Sequence, residues 1–190
     1  MVENDTVYVI NNIIKNITDN YASGNPTYNA YLSSNIVEFI GNHIENVHSQ
    51  GATYNTFMKS KNSGFKHFAD NYFKDNHYIS LFSCEDNSTW IVENCIFEAS
   101  QFTKCSTRNK MTDSIFRNCK IISNTDMTLF MNSSGLVFES CNFIANTLGS
   151  NGGVYGDETA TNSSKFKNCT FECKQVNAGV IQNRIYQNIL

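Results

Sequence analysis

Apolar residues in this chain recur in pairs that flank a two-residue polar corner. The phrase "FRNCKI", residues 116 to 121, has a bulky apolar first position, a turn former and a cysteine at positions three and four, and an isoleucine at six. The same frame returns at "VINNII" (9 to 14), "FIGNHI" (39 to 44), "FADNYF" (68 to 73), "VENCIF" (92 to 97), "FESCNF" (138 to 143) and "FKNCTF" (166 to 171). Position one is always Val or Phe. Position six is Ile14, Ile44, Phe73, Phe97, Ile121, Phe143 and Phe171. Position three is a turn former in every copy: Asn11, Gly41, Asp70, Asn94, Asn118, Ser140 and Asn168. Position four runs Asn12, Asn42, Asn71 and then Cys95, Cys119, Cys141, Cys169. By subtraction, successive corners lie 30, 29, 24, 24, 22 and 28 residues apart.

An amphipathic helix would need apolar residues at i, i+3, i+4 and i+7 over ten or more positions, whereas these flank the corner and stop. Strand, corner, strand is the reading. A second element recurs between corners, at "AYLSSN" (30), "TFMKSK" (56), "SLFSCE" (80), "TKCSTR" (103), "TLFMNS" (128), "GVYGDE" (153) and "GVIQNR" (179). One lap of chain therefore holds at least three short strands. The expected fold is all-β, a single-stranded parallel β-helix (solenoid) of about seven coils forming one domain over 1–190, with like residues piled at a rise of about 4.8 Å. In the corner column the asparagines are expected to hydrogen-bond from coil to coil, and the cysteines to pack as small hydrophobes. Neighbouring thiols would fall within the Cα separation of a disulfide. A parallel stack seldom aims both Cβ vectors at each other, so free thiols are expected.

Composition narrows the picture. The 190 residues suit one domain with a real core, and 28 asparagines against one proline, Pro26, fit a chain that turns often. A net charge of -3 provides no basic field for nucleic acid. No apolar run approaches the roughly 20 residues of a transmembrane segment, and the acidic start "MVENDTVYVI" lacks the basic region of a signal peptide. The seven cysteines show no zinc spacing, Cys169 and Cys173 being the nearest approach. No phosphate-binding glycine motif is present, so nucleotide chemistry is not indicated; neither a cofactor nor, on these spacings, a metal is expected. Six glycosylation sequons, at Asn4, Asn16, Asn87, Asn132, Asn162 and Asn168, are about what this composition gives by chance, and they are silent on secretion.

Four F-x-x-N tetrapeptides begin at Phe39, Phe68, Phe73 and Phe143, and "GGVY" (152 to 155) and "AGVI" (178 to 181) follow a G-G-A-[ILVY] pattern. The frame resembles the right-handed parallel β-helix of the pectate-lyase-like superfamily over nearly the whole chain, and the tetrapeptides are similar to polymorphic outer membrane protein-type repeats. The resemblance implies right-handed coiling. It implies adhesion at the cell surface or outside the cell for a chain belonging to a longer exported protein. From the superfamily's enzymes it implies cleavage of acidic polysaccharide, often with calcium.

The charged candidates for such chemistry fit it poorly. Aligned on the second element, one column reads Asn35, Lys61, Glu85, Arg108, Ser133, Glu158 and Arg184. Glu85 and Glu158 would stand three coils, about 14 Å, apart, beyond the roughly 5 to 9.5 Å of paired glycosidase carboxylates. Lys61, Glu85 and Arg108 read as a surface charge ladder. The doublets Glu85/Asp86 and Asp157/Glu158 supply too few ligands for calcium alone. His43, His48, His67 and His77 fall in or near corners, without a partner nucleophile or acid at a persuasive spacing.

A further pair of columns points to binding. Leu32, Met58, Phe82, Cys105, Phe130, Tyr155 and Ile181 form one, and the adjacent Tyr31, Phe57, Leu81, Lys104, Leu129, Val154 and Val180 the other. Neighbours on a strand face opposite ways, and Lys104 marks the second column as the outer one. Its apolar members Tyr31, Phe57, Leu81, Leu129, Val154 and Val180 are expected to form an exposed stripe for a protein or a glycan, unless the connections over 20 to 30 and 45 to 55 fold across it. The expected function is a non-catalytic structural or adhesive module. A polysaccharide lyase or hydrolase using Glu85, Asp86, Asp157 or Glu158, and a trimeric viral tail-spike-like module, are the alternatives. The first strand starts within about seven residues and the chain stops at "IYQNIL" without an amphipathic cap. Uncapped repeat ends aggregate, so an excerpt of a longer solenoid, a homo-oligomer or end-to-end stacking is expected.

Overall fold

The computed structural model describes residues 6–19, 28–32, 34–49, 56–60, 64–78, 80–84, 89–99, 101–102, 113–123, 135–145 and 165–173. Strands and the turns between them account for all of these, and every strand pairing is parallel. A first sheet stacks Thr6–Ile10, Ile36–Ile40, Phe65–Ala69, Thr89–Glu93, Ile115–Arg117, Val137–Glu139 and Lys165–Lys167 in chain order. A second stacks Ile13–Asp19, His43–Ser49, Tyr72–Lys74, Ile96–Ala99, Lys120–Ser123, Asn142–Ala145 and Thr170–Cys173, with His77–Tyr78 and Gln101–Phe102 continuing two of its laps. The third holds Tyr28–Leu32, Thr56–Ser60 and Ser80–Cys84. These are stacked rungs, compatible with a parallel β-helix.

Two residues, positions three and four of the repeated frame, join each first-sheet strand to its second-sheet neighbour. All seven third positions adopt positive φ: Asn11 at 56°, Gly41 at 67°, Asp70 at 56°, Asn94 at 54°, Asn118 at 51°, Ser140 at 54° and Asn168 at 53°. L-residues avoid this left-handed region, and glycine, asparagine and aspartate tolerate it best. Only Ser140 departs from that set. The corner is stitched to its neighbours by two main-chain bonds per junction. Position three donates to the carbonyl of position two one lap later, as Asn94 N–H does to Arg117 at 3.0 Å. Position five donates to the carbonyl of position four one lap earlier, as Lys120 N–H does to Cys95 at 2.9 Å.

Alternation fills the space between the sheets. Val37, Phe39, Phe68, Trp90, Val92, Phe116 and Phe138 point inward from the first sheet and meet Ile44, Phe73, Phe97, Ile121 and Phe143 from the second, all buried. The registers pair Phe116 with Phe138 and Phe138 with Phe166, and Phe73 with Phe97 and Phe143 with Phe171. These rings stack at centroid separations of 5.1, 4.8, 5.2 and 5.1 Å. A strand spacing of about 4.8 Å is also close to the preferred offset-stacking distance of two rings, so the repeat and the aromatic packing reinforce each other. Gly64 is required where it stands, because a Cβ there would overlap the Asn35 carbonyl oxygen.

Candidate functional site

The corner column is the most chemically dense part of the described structure. Asn42 Oδ1 accepts the main-chain N–H of Asn12 at 2.9 Å and its side-chain amide at 3.0 Å. Asn71 Oδ1 accepts the same pair from Asn42, at 2.9 and 3.1 Å. The ladder ends where Asn71 Nδ2 meets Cys95 Sγ at 3.7 Å. The expected coil-to-coil amide bonding is present.

One carbonyl explains why cysteine can follow asparagine in this column. Asn42 Nδ2 donates to the carbonyl of Val9, and Asn71 Nδ2 to that of Phe39. Each acceptor is position one of the preceding lap. Cys95, Cys119, Cys141 and Cys169 place their thiols 3.8, 3.4, 3.4 and 3.5 Å from the same carbonyl, of Phe68, Val92, Phe116 and Phe138 respectively. An amide and a thiol thus address the same acceptor, the thiol weakly and in competition with the position-two carbonyl of its own lap, at 3.3, 3.2, 3.5 and 3.5 Å along the row. The four cysteines are free, and the first three are buried. Bonds shared with Cys141 and Cys95, with burial added, push the Cys119 thiol up, and burial pushes up that of Cys169. The bond with Cys119 lowers the pKa of the Cys95 and Cys141 thiols, so it is burial that shields these three from reagents.

A second corner is absent from the sequence reading. Asn16, Asn46 and Asp75 also take positive φ, at 57°, 55° and 50°, and Asn46 Nδ2 donates to Asn16 Oδ1 at 2.7 Å. Next to it, Asn76 accepts the Val47 N–H and donates to the Ile44 carbonyl, each at 3.0 Å. The available signal was an Asn or Asp four residues beyond Asn12, Asn42 and Asn71.

The outer face of the first sheet carries charge. His67 lies within its strand, Phe65–Ala69, rather than at a corner, and rung stacking brings it two acids that are remote in sequence. Its Nδ1 is 2.7 Å from Glu38 Oε2 and its Nε2 is 3.1 Å from Glu93 Oε1. Burial disfavours the imidazolium, yet the bonds to Glu38 and Glu93 outweigh it and raise the histidine's pKa. Further along, Glu139 binds Lys167 and Arg117, both at 3.0 Å, and its carboxyl is held below the usual range by Lys167 first and Arg117 next. On the second sheet Glu45 pairs with Lys15 at 2.8 Å and Lys74 at 3.6 Å. The expected alternating ladder of Lys61, Glu85 and Arg108 lies outside the described residues. Lys66 is buried and donates to the carbonyls of Ser34 and Asn35, at 2.8 and 3.0 Å.

The register of the third sheet corrects part of the sequence alignment. Met58 stands opposite Phe82 as expected, but opposite Ala30 rather than Leu32. Tyr31 is opposite Lys59, two places from Phe57. Phe57 and Leu81 lie between the paired positions Thr56/Ser80 and Met58/Phe82. The other stripe residues, Leu129, Val154 and Val180, with Lys104, lie outside the described residues, as do Glu85, Asp86, Asp157 and Glu158. No group of three or more His, Cys, Asp or Glu able to hold a metal occurs among the described residues. No helix there is long and apolar enough to cross a membrane, which says nothing about spanning by strands.

Compared with protein-family models, with curated proteins and with solved structures, the chain has no match.

Proposed function

We propose that the chain is a non-catalytic structural and adhesive module, a right-handed single-stranded parallel β-helix of about seven coils that binds protein or glycan through its third sheet. One observation carries this reading. In the described rungs several chemically capable side chains are committed to one another along the stack: Asn12, Asn42 and Asn71 through their amides, His67 between Glu38 and Glu93, Glu139 between Arg117 and Lys167. Such commitment builds a rigid rod and leaves recognition to an extended face rather than to a pocket.

The third sheet supplies a candidate face because its strands run in parallel register over three laps, with Phe57 beside Leu81 in the pairing. Arrays of acidic and neutral glycans and of proteins test the proposal. Binding should be lost in the Phe57→Ala/Leu81→Ala double variant while the far-ultraviolet circular dichroism is unchanged. Binding that survives both substitutions contradicts the face. Calcium-dependent release of new sugar ends, abolished by Glu85→Gln, contradicts the non-catalytic reading.

A further inference from the structure

We infer that the first and last described rungs form a head-to-tail docking pair, and that the partner fitting each is a second copy of this chain. Among the described residues, the strands Thr6–Ile10 and Ile13–Asp19 have a neighbour on one side only, as do Lys165–Lys167 and Thr170–Cys173. The inward column, buried in the middle rungs, is incompletely covered at both ends: Phe171 is 41% exposed where Phe97 and Phe143 are at most 3%, and Val9, Ile14 and Phe166 are only partly buried. This inference depends on the rung geometry and not on the third sheet.

The internal junctions specify what would complete these ends. Each junction joins a position-three N–H to the next lap's position-two carbonyl, and a position-five N–H to the previous lap's position-four carbonyl. Docked tail to head, Asn168 N–H meets the Ile10 carbonyl of the next copy, and that copy's Ile13 N–H meets the Cys169 carbonyl. Asn12 Oδ1 then receives the Cys169 N–H, as Asn71 Oδ1 receives that of Asn42 inside the stack. The left-handed corners, Asn168 at 53° and Asn11 at 56°, follow on as consecutive corners already do.

Side chains agree with this placement. Phe166 falls over Val9 and Phe171 over Ile14, repeating the internal neighbours Phe68/Val92 and Phe97/Ile121. On the outer face of the second sheet, Lys15, Glu45, Lys74 and Glu98 alternate in sign. After Ile122 and Ile144 the same column ends on Glu172, which would stand over Lys15 of the next copy and renew the pairing of opposite charges across the joint. On the first sheet Lys165 would stand over the exposed ring of Tyr8, an arrangement that favours a cation. A heterologous contact of this kind does not close, so it generates an open series of oligomers.

Sedimentation over a concentration series tests the inference on the intact chain. The expected result is a progressive series of oligomers. Glu172→Lys should weaken association severalfold, and adding Lys15→Glu to it should restore association by inverting the pair. Ile13→Pro removes an N–H that the joint uses and the internal junctions do not, and should weaken association about fivefold, the worth of one backbone hydrogen bond. Melting curves and circular dichroism on each variant separate loss of docking from loss of fold. A monomer at every concentration, a closed dimer, or oligomers indifferent to both Ile13→Pro and Glu172→Lys would overturn it.

Discussion

Asn42 Oδ1 accepts both the main-chain and the side-chain N–H of Asn12, at 2.9 and 3.0 Å, so one oxygen ties two laps that are 30 residues apart in sequence. Asn71 does the same for Asn42 and also donates to the Phe39 carbonyl. Asn71→Ala leaves buried donors and an acceptor without partners and should cost about 2–3 kcal/mol in chemical denaturation. Asn71→Cys keeps a donor for the Phe39 carbonyl, as the cysteines do further along, and should cost about 1 kcal/mol less than Asn71→Ala. Equal losses for the two variants would argue against a shared acceptor.

The left-handed corners respond to backbone preference. Asn118, with φ of 51°, should tolerate glycine and reject valine by about 1–2 kcal/mol. Ser140, with φ of 54°, is the residue least suited to its corner, and Ser140→Gly or Ser140→Asn should raise the denaturation midpoint. A lower midpoint in both would contradict the assigned corner geometry.

His67 gives the fold a pH dependence. Its pKa is raised in the folded state by Glu38 and Glu93 acting against burial. The stability it contributes is therefore fully present below its unfolded value of about 6.5 and is lost as pH rises through the higher folded value. His67→Gln should flatten the stability profile across that window. Titration of the imidazole by nuclear magnetic resonance checks the direction, and a folded value below that of the denatured chain would refute it.

The thiol row should be chemically quiet. Cys95, Cys119 and Cys141 are at most 1% exposed, and Cys169 is half-buried. Of these four, an alkylating reagent applied to native protein and read by peptide mass spectrometry should mark Cys169 before the others and leave Cys95, Cys119 and Cys141 unmodified until the rungs open. Prompt modification of Cys119 would contradict its buried, protonated state.

Much of this architecture was legible in the sequence, and the limits have physical causes. Positions one, three, four and six were readable because each column faces one constraint in every lap: an inward apolar site, a positive φ, a carbonyl to satisfy, a second inward site. The third-sheet register was readable only in part. Tyr31 belongs opposite Lys59, and a slip of two residues keeps the strand's alternation in phase, so hydrophobic pattern alone cannot detect it. His67 showed no acid partner because Glu38 and Glu93 are 29 and 26 residues away, yet near multiples of the rung period would have found both. Lys66 broke the rule that lysine stays outside, since the Ser34 and Asn35 carbonyls that receive it are invisible to a residue-type argument.

Equivalent residues lie rung upon rung along the stack. Asn11 and Asn168 occupy the same corner position six laps apart, and both are exposed. Spin labels carried there on unnatural amino acids should give one narrow distance distribution by double electron–electron resonance, centred at about 29 Å, six times the rung rise. A broad distribution, or a centre far from that length, would show that the laps do not stack in register and would contradict the fold on which every other conclusion rests.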